Sequence, residues 1–146
     1  MRVEEYEDSM AFGHALAVFV ARGNLIEMMD LSCNHLSDNS FLQIVDEIPH
    51  LEEILFRNAF ISEGTLRTLS PNVDEDFLPC SKLQSLTFDR CEVTGSMLLS
   101  FVGSRNISAS VKPITSLCIA GCDLVTKRDV RLLRAINPER LNVRAS

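Results

Sequence analysis

Apolar residues recur along this chain in one spacing. Leu83, Leu86, Phe88, Cys91 and Val93 fill the first, fourth, sixth, ninth and eleventh places of a frame that Ile114, Leu117, Ile119, Cys122 and Leu124 fill again. An earlier copy is Ile26, Met29, Leu31, Asn34 and Leu36; another is Leu51, Ile54, Phe56, Ala59 and Ile61, with alanine at the ninth place. The copies start near 26, 51, 83 and 114, giving periods of 25, 32 and 31 residues. Alternation at the fourth and sixth places predicts a short strand with those side chains inward and the third, fifth and seventh outward. A unit this small cannot bury its own apolar face, so the copies are expected to stack and their strands to form one parallel sheet.

The segments between strands read as helices. Ser37 to Ile48 places Phe41, Leu42, Ile44, Val45 and Ile48 on one face. Ser62 to Leu69 is shorter and is followed by Pro71; Thr94 to Ser104 gathers Met97, Leu98, Phe101 and Val102. Thr126 to Ile136 sets Val130, Leu133 and Ile136 along one side, with Thr126 and Asp129 spaced as a capping box. Ser or Thr opens all four segments, as N-caps do. Residues 1–25 read as an incomplete first repeat or cap, with a helix over Ser9 to Arg22 and its strand either near Val3 or missing. Residues 138–146 read as a last partial repeat carrying Leu141 and Val143. The whole chain, 1–146, is read as one domain. Its acidic opening and incomplete first repeat lead us to expect further sequence upstream of Met1.

Composition narrows the function classes. No apolar run approaches the length of a membrane-spanning helix, and MRVEEYED lacks the basic start of a secretory signal, so cytoplasm or nucleus is expected. Net charge is −6, split into −10 over residues 1–75 and +4 over residues 76–146, which disfavours nucleic acid as the main ligand. The C-terminal bases fall mostly at helical spacing within Thr126 to Ile136, as on a solvated helix face. Five cysteines, an odd number in a chain without a signal, argue against a disulfide framework. Cys118 and Cys122 are the one close pair, but alternation turns them to different sides of a strand, so zinc is not expected. His14 reads as a helix residue and His35 and His50 as loop residues. No motif ties any of them to a cysteine, and no glycine-rich phosphate loop is present, so neither a catalytic centre nor a cofactor is expected. Asn106-Ile107-Ser108 matches a glycosylation triplet, which carries no meaning in a reducing compartment.

The four copies fit L-x-x-L-x-L-x-x-N/C-x-L, and on them the chain resembles the leucine-rich repeat family over about Ile26 to Ile136. The resemblance implies an α/β fold: a leucine-rich-repeat solenoid with a short-stranded parallel sheet on the concave side and helices on the convex side. It also implies that Asn34, Cys91 and Cys122 turn the chain out of each strand and form a buried ladder. Ala59 breaks that ladder and leaves local backbone groups to another partner or to water. A doubly wound α/β sheet is the rival, but it calls for longer Val/Ile-rich strands and leaves the ninth-place rule unexplained.

The concave face would present Met28, Asp30 and Ser32; Glu53, Leu55 and Arg57; Ser85, Thr87 and Asp89; and Ser116, Cys118 and Ala120. These are the candidate partner-binding residues, and a protein is the partner they suit. Two insertions, Pro71 to Lys82 and Ser104 to Pro113, should emerge on one edge of the solenoid as rim loops; Asp74 to Asp76 beside Phe77 and Leu78 would be an acidic-apolar contact. The stretches CSKLQSLTFDRCEVTGSMLLSFVGSR and PITSLCIAGCDLVTKRDVRLLRAINPERLNV are similar to the repeats of fungal F-box proteins. That similarity implies a noncatalytic module that holds a substrate for ubiquitination. It implies a Skp-type adaptor only where an F-box lies upstream, since none precedes the repeats here. A repeat regulator of the ribonuclease-inhibitor type, or an enzyme on an open α/β sheet, are the alternatives.

Overall fold

In a computed structural model the described residues are 2–3, 26–31, 37–71 and 80–146. They form an α/β structure. Strands β1 (Arg2–Val3), β2 (Met28–Leu31), β3 (Glu53–Arg57), β4 (Ser85–Asp89), β5 (Ser116–Ala120) and β6 (Asn142–Ala145) make one sheet in the order β1-β2-β3-β4-β5-β6. Every neighbouring pair is parallel. Helices α1 (Asp38–Asp46), α2 (Glu63–Thr68), α3 (Gly95–Ile107) and α4 (Lys127–Ile136) fill the connections after β2, β3, β4 and β5. Among the described strands the order never reverses, so they form no switch point of a doubly wound sheet.

Pairing puts equivalent places of the repeat in register. Ile54 pairs with Leu86 and Leu86 with Leu117; Phe56 pairs with Phe88 and Phe88 with Ile119. In β3, β4 and β5 these inward residues are buried and their alternates half-buried. Leu51, Leu83 and Ile114, at the first place, are also buried. Phe56 and Phe88 stack at 5.3 Å between ring centroids, and Phe41 of α1 leans on Phe56 at 6.1 Å. The core is therefore one continuous column.

At the start of each strand one carbonyl serves two amides of the next unit. Glu27 O accepts from Glu52 and Glu53 N–H, Glu52 O from Gln84 and Ser85, and Gln84 O from Thr115 and Ser116. At the ends of β3, β4 and β5 stands a residue with positive φ: Asn58 at 48°, Arg90 at 54° and Gly121 at 63°. Their N–H groups reach Asp89, Ala120 and Ser146 carbonyls, so the sharp exit keeps the ladder paired. Asparagine and glycine tolerate this left-handed conformation, whereas arginine is strained by it.

All four helices carry the expected caps: Ser37, Ser62, Thr94 and Thr126 accept from the amides of Ser40, Thr65, Met97 and Asp129. The Thr126–Asp129 capping box is complete. Those amide and hydroxyl contacts hold the Asp129 carboxyl below its ordinary pKa. Of the two alternatives for the first strand, Val3 does fall in one; Leu141, directly before β6, and Val143, within it, are buried. The region Ser9 to Arg22 lies outside the described residues.

Three expectations need correction. Leu42 is exposed, because the apolar stripe of α1 runs through Phe41, Ile44, Val45 and Ile48 and leaves Leu42 at its margin. Leu124 is also exposed. The turn after Cys122 is one residue longer than its counterparts, and Val125, directly before the N-cap, packs on the core as Ile61 and Val93 do in theirs. The second insertion does not begin at Ser104, because α3 continues to Ile107.

That extension buries Arg105 completely. Its guanidinium donates from Nη1 to Leu69 O at 2.8 Å, and from Nη2 to Cys80 O, Leu83 O and Lys112 O at 3.0 to 3.1 Å. Burial lowers its pKa to about 10, with the nearby Cys80 thiol opposing; the group stays charged at neutral pH. One cation thus ties the end of α2, the end of the first insertion and the end of the second. Next to it Asn106 exchanges hydrogen bonds with the Ile114 backbone, so its amide is committed inside the fold.

Arg105→Met should lower the urea-derived unfolding free energy by about 3 kcal/mol, because several buried carbonyls lose a charged donor. Arg90→Gly should raise it by about 1 kcal/mol through relief of the left-handed backbone. Gly121→Ala should lower it by about as much, since a Cβ there would stand 2.9 Å from Arg90 Cγ.

Candidate functional site

The third, fifth and seventh places share one side of the sheet, as alternation requires. Met28, Glu53, Ser85 and Ser116 form one row across the strands; Asp30, Leu55, Thr87 and Cys118 form the next; Arg57, Asp89 and Ala120 form the third. Ser32 lies outside the described residues. The sheet also brings in residues the repeat pattern had not assigned. Asn142 pairs with Ser116 and Arg144 with Cys118, and both are exposed. Arg2 pairs with Asp30 at the other margin. The signal for β6 was present in Leu141 and Val143, but two residues could not fix its register.

Charge on this surface is unevenly distributed. Arg57 Nε lies 3.4 Å from Asp30 Oδ1, and Arg90 Nε 3.3 Å from Asp89 Oδ1. Arg57 and Asp89 are themselves register partners, so acid and base alternate from Asp30 to Arg90. Asp30 is largely covered, at 8% exposure, although its place predicted an open side chain. Beyond this row lie Ser85, Thr87, Ser116, Cys118 and Ala120, a half-buried floor of small uncharged side chains. Arg144 borders that floor.

The ninth-place cysteines point the other way. Cys91 Sγ donates to Phe56 O at 3.3 Å and to Asp89 O at 3.5 Å; Cys122 Sγ donates to Phe88 O at 3.4 Å and to Ala120 O at 3.5 Å. Each thiol therefore links its own strand end to the preceding strand. Asn34 lies outside the described residues. At the alanine rung, Ala59 O accepts from Glu92 N–H, and a recess of about 20 Å³ opens among Leu31, Phe41, Phe56, Ile61 and Thr65. Phe60 beside it is 64% exposed.

Burial pushes the Cys91 thiol up to about 11 and the Cys80 thiol up to about 12, the latter against the opposing charge of Arg105. Cys122 is raised for the same reason. A thiol held protonated is a poor nucleophile. Among the described residues no three His, Cys, Asp or Glu side chains gather as a metal would need. His50 meets Lys82 Nζ at 3.0 Å in an exposed contact ahead of β3 and β4. No described helix is long and apolar enough to cross a membrane. Of the first rim loop, Asp74 to Asp76, Phe77 and Leu78 lie outside the described residues.

No protein-family model matches the chain, and no curated protein matches it.

Two measurements test the thiol environments. Cys118, half-buried on the open face, should react with iodoacetamide at neutral pH well before Cys80, Cys91 or Cys122, as read by peptide mass spectrometry. Stability should be full below the ordinary thiol value of 9.0, where folded and unfolded thiols are both protonated. It should then decline as pH rises towards 11 to 12, because there these two thiols ionise only in the unfolded chain; their combined shift outweighs that of Arg105, which works in the opposite sense above about 10. Urea titrations across that range check the sign.

Proposed function

We propose that this chain is a leucine-rich-repeat solenoid that captures a protein partner on its concave sheet face, and that it serves as the substrate-receiving part of an F-box-type ubiquitin-ligase receptor. The observation that carries the binding half is the in-register surface of third, fifth and seventh places. It is open on one side, and the other side of the same strands forms the core. Such a surface is the extended binding platform that stacked repeats create. Asn142 and Arg144 widen it by one strand. A standard interface takes about 20 to 30 residues per side, so the insertions whose ends Arg105 gathers complete the contact. The ubiquitin half rests on the similarity of the two quoted repeat stretches to F-box proteins. An F-box upstream would bring a Skp-type adaptor.

Affinity capture from cells with ubiquitin ligases inhibited, compared by quantitative mass spectrometry, tests both halves. Arg57→Gln and Asp89→Asn should each reduce recovery of the specific partners by about tenfold with an unchanged circular dichroism spectrum. If both fold and capture as well as the native chain, the concave face is not the binding surface. Partners that do not accumulate when the ligases are inhibited would remove the ubiquitin role.

A further inference from the structure

Side-chain size varies across the open face. On β4 and β5 its places hold Ser85, Thr87, Ser116, Cys118 and Ala120, all half-buried, with Asp89 at the far end turned to Arg90 at 3.3 Å. The flanking strands carry longer groups, Glu53, Leu55 and Arg57 on β3 and Asn142 and Arg144 on β6. Small side chains on two adjacent strands between longer ones make a trough along the strands. From β3 to β6 is three strand spacings, about 14 Å, and an α-helix with its side chains is about 10 to 12 Å across. The two floor strands have five residues each, so the floor runs about 16 Å, the length of about three helical turns.

Backbone chemistry separates a helix from an extended chain here. β4 is paired on both sides, to β3 and β5, and β5 to β4 and β6. The floor therefore offers an incoming backbone only side-chain hydroxyls. An extended segment laid on it would lose water from its amides without gaining ladder bonds, whereas a helix arrives with its own bonds made. A floor without long side chains also lets one helix stripe make contact along its whole length. Charge sets the direction. Glu53 opens the β3 wall and makes no ion pair among the described residues, while Arg57 at its end faces Asp30 at 3.4 Å. A helix whose N-terminal turn lies over Glu53 sets its dipole favourably against that carboxylate. We infer that the trough holds one α-helix of a partner protein, about three turns long, lying along β4 and β5 with its N-terminal end over Glu53. The inference rests on the concave face being the capture surface and names the form of what it captures.

The probes are peptides of about twelve residues with one central cysteine, joined to Cys118 of the full chain by disulfide exchange, with peptide mapping to confirm the site. One is rich in alanine and leucine and stapled as a helix. The second has the same residues with a proline in the middle, and the third alternates threonine with valine. Intact mass spectrometry reads the β-mercaptoethanol concentration that releases half of each peptide. The helical peptide should withstand about tenfold more reductant than either other, and Glu53→Gln should narrow that margin about twofold. In partner capture, Ser116→Trp and Thr87→Trp fill the trough with a residue strands accept. Each should cut recovery by about tenfold with an unchanged circular dichroism spectrum. A helical peptide held no more firmly than the other two, or full capture by both folded tryptophan variants, would overturn the inference. If Arg57→Gln still loses its partners in that case, the concave face stands as the capture surface and only the helix is wrong. Full capture by Arg57→Gln and Asp89→Asn as well would remove the face itself.

Discussion

Register is the constraint on which this structure depends. Each unit buries its fourth- and sixth-place side chains only if the next unit presents the same places at the same height. The paired carbonyls of Glu27, Glu52 and Gln84 set that height at the strand starts, and the left-handed residues Asn58, Arg90 and Gly121 set it at the ends. Between these two fixed lines a strand has no freedom to slip, since a one-residue shift would send Ile54, Leu86 and Leu117 to the open face. The same constraint makes the open face. Side chains such as Leu55, Thr87 and Cys118 lie in one row because their buried neighbours had to.

The sequence was most readable where side-chain type repeats. The inward places, the four N-caps and the capping box all show as residue types at fixed spacing, and each reflects a local rule. It was least readable where one residue acts over distance. Arg105 falls in SRNISASVKP, a stretch read only as a rim insertion, yet it meets carbonyls 36, 25, 22 and 7 residues away. Nothing in its neighbourhood announces those partners. Leu124 shows a subtler failure: the frame was right but the turn is longer by one residue. The N-cap carries that information, because Ile61, Val93 and Val125 all directly precede Ser or Thr caps.

Irregular periods are possible because the inserts close back onto the column. Both insertions lie between a helix and the next strand, and both end at carbonyls gathered by Arg105. A buried charge without a carboxylate is costly unless its donors are satisfied. Four carbonyls supply that compensation at the two terminal nitrogens, Nε alone standing buried without a partner, while drawing three chain segments to one point. A hydrophobic residue in its place could fill the space but could not specify which carbonyls converge. The described ends of the insertions are therefore held by directional bonds, and the column by packing.

The face itself has two characters. From Asp30 to Arg90 acids and bases alternate closely enough to neutralise one another, so that half offers shape and position more than net charge. The half over β4 and β5 is small, hydroxyl-bearing and flat, and an incoming side chain meets little steric resistance there. A partner crossing both halves would find its register fixed by the charged row and its bulk accommodated over the small one. Electrostatic contacts of that kind contribute more to orientation and specificity than to raw affinity. Surface area over the small floor and along the rims would have to supply the rest, and for such a partner the anchoring of the rim ends by Arg105 would matter to binding as well as to folding.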